Sequence, residues 1–93
     1  MILTIDIGNT KIKFGLFKKT EPIKFFNCNS SSQIPNEINN IVKYSIDTVI
    51  ISSVAPRLTS LYQSYINKKL KISPFIINYR NCNINLNVDE PST

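Results

Sequence analysis

The N-terminal segment Ile2-Leu-Thr-Ile-Asp-Ile7 constrains the fold more than any other stretch of the chain. It is β-branched and almost continuously apolar, the composition of a strand buried in the middle of a sheet. Gly8-Asn9-Thr10 then turns the chain; Gly and Asn tolerate the positive φ that tight turns often need. From Lys11 to Phe17 the pattern alternates, with Ile12, Phe14 and Leu16 on one face and Lys11, Lys13, Gly15 and Phe17 on the other. A strand, a tight turn and a second strand predict a hairpin at the heart of the sheet.

The remaining elements follow from spacing. Ile23 to Cys28 reads as a third strand, and Ser-rich Asn29 to Gln33 as a loop. Pro35 suits the first turn of a helix, and Ile34, Ile38, Ile41 and Val42 hold helical spacing to about Tyr44. Asp47 to Val54 is a Val/Ile-rich fourth strand. Pro56 opens a second helix whose Leu58, Leu61, Tyr62, Tyr65 and Ile66 form one apolar stripe. Lys68, Lys69 and Lys71 lie at its C-terminal end, where the helix dipole favours cations. Pro74 to Asn78 reads as a fifth strand, and the Asn-rich stretch from Tyr79 onward has no strong period. The order βββ-α-β-α-β predicts an α/β fold. Its mixed five-stranded sheet has an antiparallel hairpin on one side, βαβ crossovers on the other and helices packed on it. The last residues, Asp89 to Thr93, carry no helix stop or capping logic and read as an interruption.

Composition removes several classes of function. The chain is 93 residues long, 42% apolar and 18% charged, a globular balance for one small domain. No apolar run approaches the roughly 20 residues of a membrane span. The apolar start is broken by Asp6 and lacks a basic region ahead of it, unlike a signal peptide. Without a single His, Ser-His-Asp and Cys-His catalysis are excluded within these residues. Cys28 and Cys82 are too few for a disulfide framework or a four-ligand zinc site, so both are expected as free, inert thiols in a reducing cytoplasm. The net charge of +5 is spread along the chain with no cluster of basic residues, which points to solvated lysines rather than a nucleic-acid surface.

The segment Asp6-Ile7-Gly8-Asn9-Thr10-Lys11-Ile12-Lys13 is the one that can carry chemistry. Asp6 closes an apolar strand, and a carboxylate beside a small-residue turn can hold hydrated Mg²⁺. The amides of Gly8, Asn9 and Thr10 can converge on an anion, with the Asn9 amide and Thr10 hydroxyl as further donors. Lys13, two residues into the next strand on the face of Lys11, can meet a phosphate as a point charge. On spacing alone an ordinary hairpin turn remains open, with Asp6 capping amides and Lys13 solvated. Ser52, Ser53 and Arg57 are weaker candidates: the serines lack a base, and an arginine opening a helix is commonly a surface residue. Tyr62 and Tyr65 are expected in the core.

Asp6-Ile-Gly-Asn-Thr10, followed by Ile12-Lys13-Phe14-Gly15, resembles the first phosphate motif of the type III pantothenate kinases. Ile50-Ile-Ser-Ser-Val-Ala-Pro-Arg57 is similar to that family's strand-to-helix segment, and Asn85-Leu-Asn-Val-Asp-Glu-Pro91 to the stretch before its catalytic motif. The resemblance implies a ribonuclease-H-like lobe of the superfamily that also holds acetate and sugar kinases, heat-shock chaperones and actin. It implies one N-terminal ATPase-type lobe over 1–93, with ATP phosphates bound by Asp6 to Lys13 and Asp6 near Mg²⁺ through water. It further implies transfer of the ATP γ-phosphoryl group to pantothenate, the first step of coenzyme A synthesis. A monovalent cation, K⁺ or NH₄⁺, and a cytoplasmic homodimer without nucleic-acid or membrane partners complete the family picture.

The chain also departs from the family. The catalytic Gly-x-Asp-Arg motif does not occur in these residues, and the second phosphate motif and the potassium ligands belong to a second lobe. Val88 stands where many members carry a Tyr that contacts pantothenate; Asp89 and Glu90 lie outside the catalytic motif. The residues alone are therefore expected to be inactive. A non-catalytic regulatory homologue, another kinase or phosphatase of the superfamily, and a naturally short interaction module remain open alternatives.

Overall fold

The structure is a computed structural model and describes residues 1–30 and 34–78. Its elements are β1 (Ile2–Ile7), β2 (Lys11–Lys18), β3 (Glu21–Asn29), α1 (Ile38–Ile41), β4 (Thr48–Ser53), α2 (Pro56–Leu70) and β5 (Phe75–Asn78). One five-stranded sheet has the order β3-β2-β1-β4-β5. β1 pairs antiparallel with β2 and parallel with β4. β2 pairs antiparallel with β3, and β4 parallel with β5. The apolar first strand is central, as its composition requires.

The pleat sends alternate residues to opposite faces. Leu3, Ile5 and Ile7 of β1, Ile12, Phe14 and Leu16 of β2, and Val49 and Ile51 of β4 form one buried face. Ile38 and Ile41 of α1 and Tyr62 and Ile66 of α2 complete the same core. Each fully buried side chain of this size is worth roughly 1.5–3 kcal/mol relative to exposure. Phe14 stacks on Phe26 of β3 at 4.4 Å between centroids and 8° between planes, and its ring also meets Tyr62 at 5.9 Å. The opposite face is open where Phe25 and Phe75 stay 61% and 67% exposed. Gly15 sits on that face beneath aromatic rings. A Cβ there would lie 2.8 Å from Thr4 Oγ1 and 2.9 Å from the Phe25 ring.

Three sequence expectations need correction. The first helix is a single α-turn, Ile38–Ile41, rather than a helix reaching Tyr44. It is entered through tight i→i−3 bonds from Ile38 to Pro35, Asn39 to Asn36 and Asn40 to Glu37. Asn36, Asn39 and Asn40 are poor helix formers, so only the apolar positions are held, by packing rather than by propensity. The third strand is longer than Ile23–Cys28, because Glu21 pairs with Lys18 across a turn in which Lys19 takes φ 58°. It also includes Asn29, which the Ser-rich sequence around it assigns to the loop. Neither Gly8 nor Asn9 has positive φ, so the β1–β2 turn does not use the conformational freedom expected of them.

α2 follows its expectation closely. Ala55 precedes it in extended conformation, Pro56 fills the first helical position, and Lys68 and Lys69 lie in the last turn. The helix ends at Lys71, a left-handed cap with φ 59° whose N–H donates to the Asn67 carbonyl at 3.0 Å.

Candidate functional site

At the carboxyl ends of β1 and β4 the sheet carries an open pocket of about 330 Å³, lined by Asp6, Ile7, Gly8, Thr10, Lys11, Lys13 and Val54. Ligands of open α/β sheets gather at this end of parallel strands. The register explains which side chains meet there. Asp6 lies opposite Lys13 on β2 and opposite Ser52 on β4. All three belong to the open face, so Asp6 is flanked by a cation on one side and a hydroxyl on the other. Asp6, Lys11 and Lys13 are exposed. Ile7 and Ile12 are fully buried and point their side chains into the core. Ile12 does not line the pocket, nor does Asn9, which is exposed on the turn.

The turn is held by its own carbonyls. Gly8 N donates to Lys11 O at 2.9 Å and closes the hairpin, so this amide is engaged rather than free for an anion as expected. A Cβ on Gly8 would sit 3.0 Å from that same Lys11 oxygen, so glycine is favoured by close approach and not by φ. Ile7 O accepts from Val54 N at 3.1 Å, and Thr10 O accepts from Ser30 N at 2.9 Å. Gly8 O accepts from Ser30 Oγ at 2.8 Å. Among the described residues no acceptor engages the N–H of Asn9 or Thr10. The pocket therefore offers the Thr10 amide and hydroxyl and two lysines to an anion and the Asp6 carboxylate to a cation, and the Asn9 amide is unengaged on the turn beside it.

The weaker candidates have structural duties. Ser53 is buried and forms a local turn: its Oγ donates to Ala55 O at 3.1 Å and accepts from Ala55 N at 2.9 Å. Arg57 is exposed on α2 and does not line the pocket. Tyr62 is fully buried, as expected of a core residue, and burial pushes its phenol pKa well above the ordinary value. Tyr65 is half-buried and donates to Asn39 Oδ1 at 2.9 Å, and burial raises its pKa too. Cys28 is a free thiol whose pKa is raised by burial and then by Glu37, the opposite of what a reactive thiolate needs. Val54 and Ser30 are not legible as site residues: Ser30 lies outside the quoted motifs, Val54 sits in the Ile50–Arg57 segment with no polar group to flag it, and both arrive through the pairing of β4 and β3. Cys82, Val88, Asp89 and Glu90 lie outside the described residues.

No group of three His, Cys, Asp or Glu side chains converges among the described residues, so a protein-only metal cage is not built there. A single exposed carboxylate is nevertheless the donor set that suits Mg²⁺, which keeps most of its waters and shares the remainder with substrate phosphates. No described helix is long and apolar enough to cross a membrane.

The family model for type III pantothenate kinase matches residues 2–93. A type III pantothenate kinase of Malacoplasma penetrans is 36% identical over 83 residues, covering 82% of this chain and 32% of the relative. One from Ehrlichia ruminantium is 32% identical over 104 residues, covering 96% of this chain and 40% of the relative. The chain thus spans well under half the length of these curated relatives. Among solved structures, a candidate N-acetylglucosamine kinase of Porphyromonas gingivalis superposes with a TM-score of 0.56 at 19% identity. The match covers 84% of this chain and 34% of that one. That likeness concerns the fold alone: the mixed five-stranded sheet with its helices is of the ribonuclease-H-like, actin-like ATPase fold class, as the sequence motifs implied.

Proposed function

Because the chain belongs to the type III pantothenate kinase family, we propose that its residues 6–13 bind the phosphates of ATP in a kinase that phosphorylates pantothenate. The product would be 4′-phosphopantothenate, in the first step of coenzyme A synthesis. The observation that carries this reading is the pocket at the β1–β2 turn, where Asp6 and Lys13 face each other beside two unengaged amides.

The roles divide by charge. Lys11 and Lys13 draw the polyphosphate to the turn, and the Asn9 and Thr10 amides with the Thr10 hydroxyl orient its oxygens. Asp6 holds Mg²⁺ through water; when bound, the ion neutralises charge developing on the phosphoryl oxygens. Gly8 lets the chain fold back closely enough for the turn to form. Ile7 and Ile12 serve the site as core anchors on either side of it. In phosphoryl transfer the protein positions and stabilises, while a separate carboxylate activates the attacking hydroxyl. That carboxylate, the ligands of a K⁺ or NH₄⁺ ion and a homodimer contact are assigned to the portion of the family fold beyond these residues. Residues 1–93 then form one ATP-binding lobe of a cytoplasmic enzyme, in which Val88 replaces the tyrosine that many family members place against pantothenate.

The test is titration of the isotope-labelled chain with ATP and Mg²⁺, read by amide NMR, alongside an assay for pantothenate-dependent ADP release. Saturable shifts confined to residues 6–13 with no turnover are expected. Shifts elsewhere, or turnover by these residues alone, would overturn the assignment.

A further inference from the structure

Ser30 lies outside every motif named above, yet it makes two bonds to the turn. Its Oγ donates to the Gly8 carbonyl at 2.8 Å. Its own N–H donates to the Thr10 carbonyl at 2.9 Å. The β2–β3 register delivers it there: Asn29 pairs with Lys11, and Ser30 follows one residue on, alongside Thr10. Ser30 is only partly exposed, so water competes less for these bonds than at an open loop.

Resting on the phosphate-site reading, we infer that Ser30 is a positioning residue for nucleotide phosphate. It acts through the Gly8–Thr10 backbone and touches no ligand itself. A peptide unit presents either its N–H or its C=O to a neighbouring pocket. A carbonyl oxygen facing a phosphate repels it, whereas an N–H attracts it. Ser30 holds the Gly8 carbonyl toward β3, which turns the Asn9 N–H of the same peptide unit the other way, and its bond to the Thr10 carbonyl pins the far end of the turn. The N–H groups of Asn9 and Thr10 are left as the edge the turn can offer to an anion. The Val54 N–H does the same for the Ile7 carbonyl from the β4 side, so the turn is braced by strands on both flanks.

The hydroxyl is the part of this brace that a substitution can remove. Ser30→Ala deletes the bond to Gly8 and leaves the backbone bond to Thr10; Ser30→Thr keeps both. The experiment compares the unsubstituted chain, Ser30→Ala and Ser30→Thr by amide NMR titration with ATP and Mg²⁺, and melts each protein. Loss of one hydrogen bond that orients a binding surface predicts a dissociation constant about fivefold higher for Ser30→Ala. Ser30→Thr should restore it, and all three should melt together. An unchanged constant in Ser30→Ala would overturn the inference, as would equal weakening in Ser30→Thr. If the unsubstituted chain shows no response at residues 6–13, the phosphate-site reading fails first and takes this role with it. That outcome is visible before any substitution is compared.

Discussion

Asp6 and Lys13 stand directly opposite each other across the β1–β2 ladder, on the open face of the sheet. The one ion pair among the described residues joins the N-terminal ammonium to Asp47 at 3.5 Å, so neither Asp6 nor Lys13 is neutralised by a partner. Two opposite charges held side by side but unpaired match a ligand that carries both signs, such as a magnesium polyphosphate.

Substitution at this pair should therefore separate binding from stability. Both side chains are exposed, and Asp6→Asn or Lys13→Ala should change folding free energy by no more than about 0.5 kcal/mol. Lys13→Ala should weaken the ATP titration at every Mg²⁺ concentration. Asp6→Asn should weaken it only when Mg²⁺ is present. Equal responses to ATP with and without the metal in both variants would remove Asp6 from the metal role.

Gly8→Ala places a methyl group 3.0 Å from the Lys11 carbonyl that closes the hairpin. That oxygen belongs to the backbone and already accepts a bond, so it has little room to withdraw. The variant should lose on the order of 1 kcal/mol in urea denaturation. Its Gly8 amide should also exchange faster with solvent. A variant as stable as the parent would show that the turn has slack the geometry does not suggest.

Phe14 is the keystone of the core between β3 and α2. Its contacts with Phe26 and Tyr62 cannot be replaced by a small side chain, so Phe14→Ala should cost about 3–5 kcal/mol. That is a large share of the 5–15 kcal/mol typical of whole domains. Circular dichroism of Phe14→Ala should show a protein largely unfolded at room temperature, whereas Phe14→Leu should fold with a lowered midpoint.

The Tyr62 hydroxyl is buried and has no hydrogen-bond partner among the described residues. Its removal in Tyr62→Phe should be neutral or stabilising by up to about 1 kcal/mol. The same group predicts a pH effect. Burial raises the pKa of the folded phenol above the unfolded value of 10.0, so the folded state holds the proton longer. The contribution is intact below pH 10 and is lost as pH climbs above it. Denaturation midpoints measured on either side of that pH should fall less in Tyr62→Phe than in the parent.

Lys71 caps α2 in the left-handed region at φ 59°, where a side chain is strained and glycine is not. Lys71→Gly should raise stability by about 0.5–1 kcal/mol, seen as a melting temperature several degrees higher. An unchanged or lower melt would mean that the lysine's interaction with the helix C-terminus outweighs its backbone strain.

Much of this protein is legible from the residues alone, because two periodicities carry it. Alternation in Lys11 to Phe17 assigns each side chain to a face without reference to any partner, and the stripe from Leu58 to Ile66 does the same for α2. The motif from Asp6 to Lys13 points to the family by its residue types and marks the candidate site. The short α1 escaped because asparagines and isoleucines gave opposing signals that only packing resolved. The extra length of β3 escaped because strand ends are set by what they pair with.

Which motif residues face the candidate pocket is decided in three dimensions. The pleat buries Ile12 and exposes Lys13, the register brings Ser52 and Lys13 to either side of Asp6, and the turn spends the Gly8 amide on its own closure. Ser30 and Gly8 are 22 residues apart, and Val54 and Ile7 lie still farther apart in the chain. Local pattern determines the elements and their faces because side-chain geometry repeats along the backbone. Contacts between strands depend on register, which is fixed only when the whole sheet assembles.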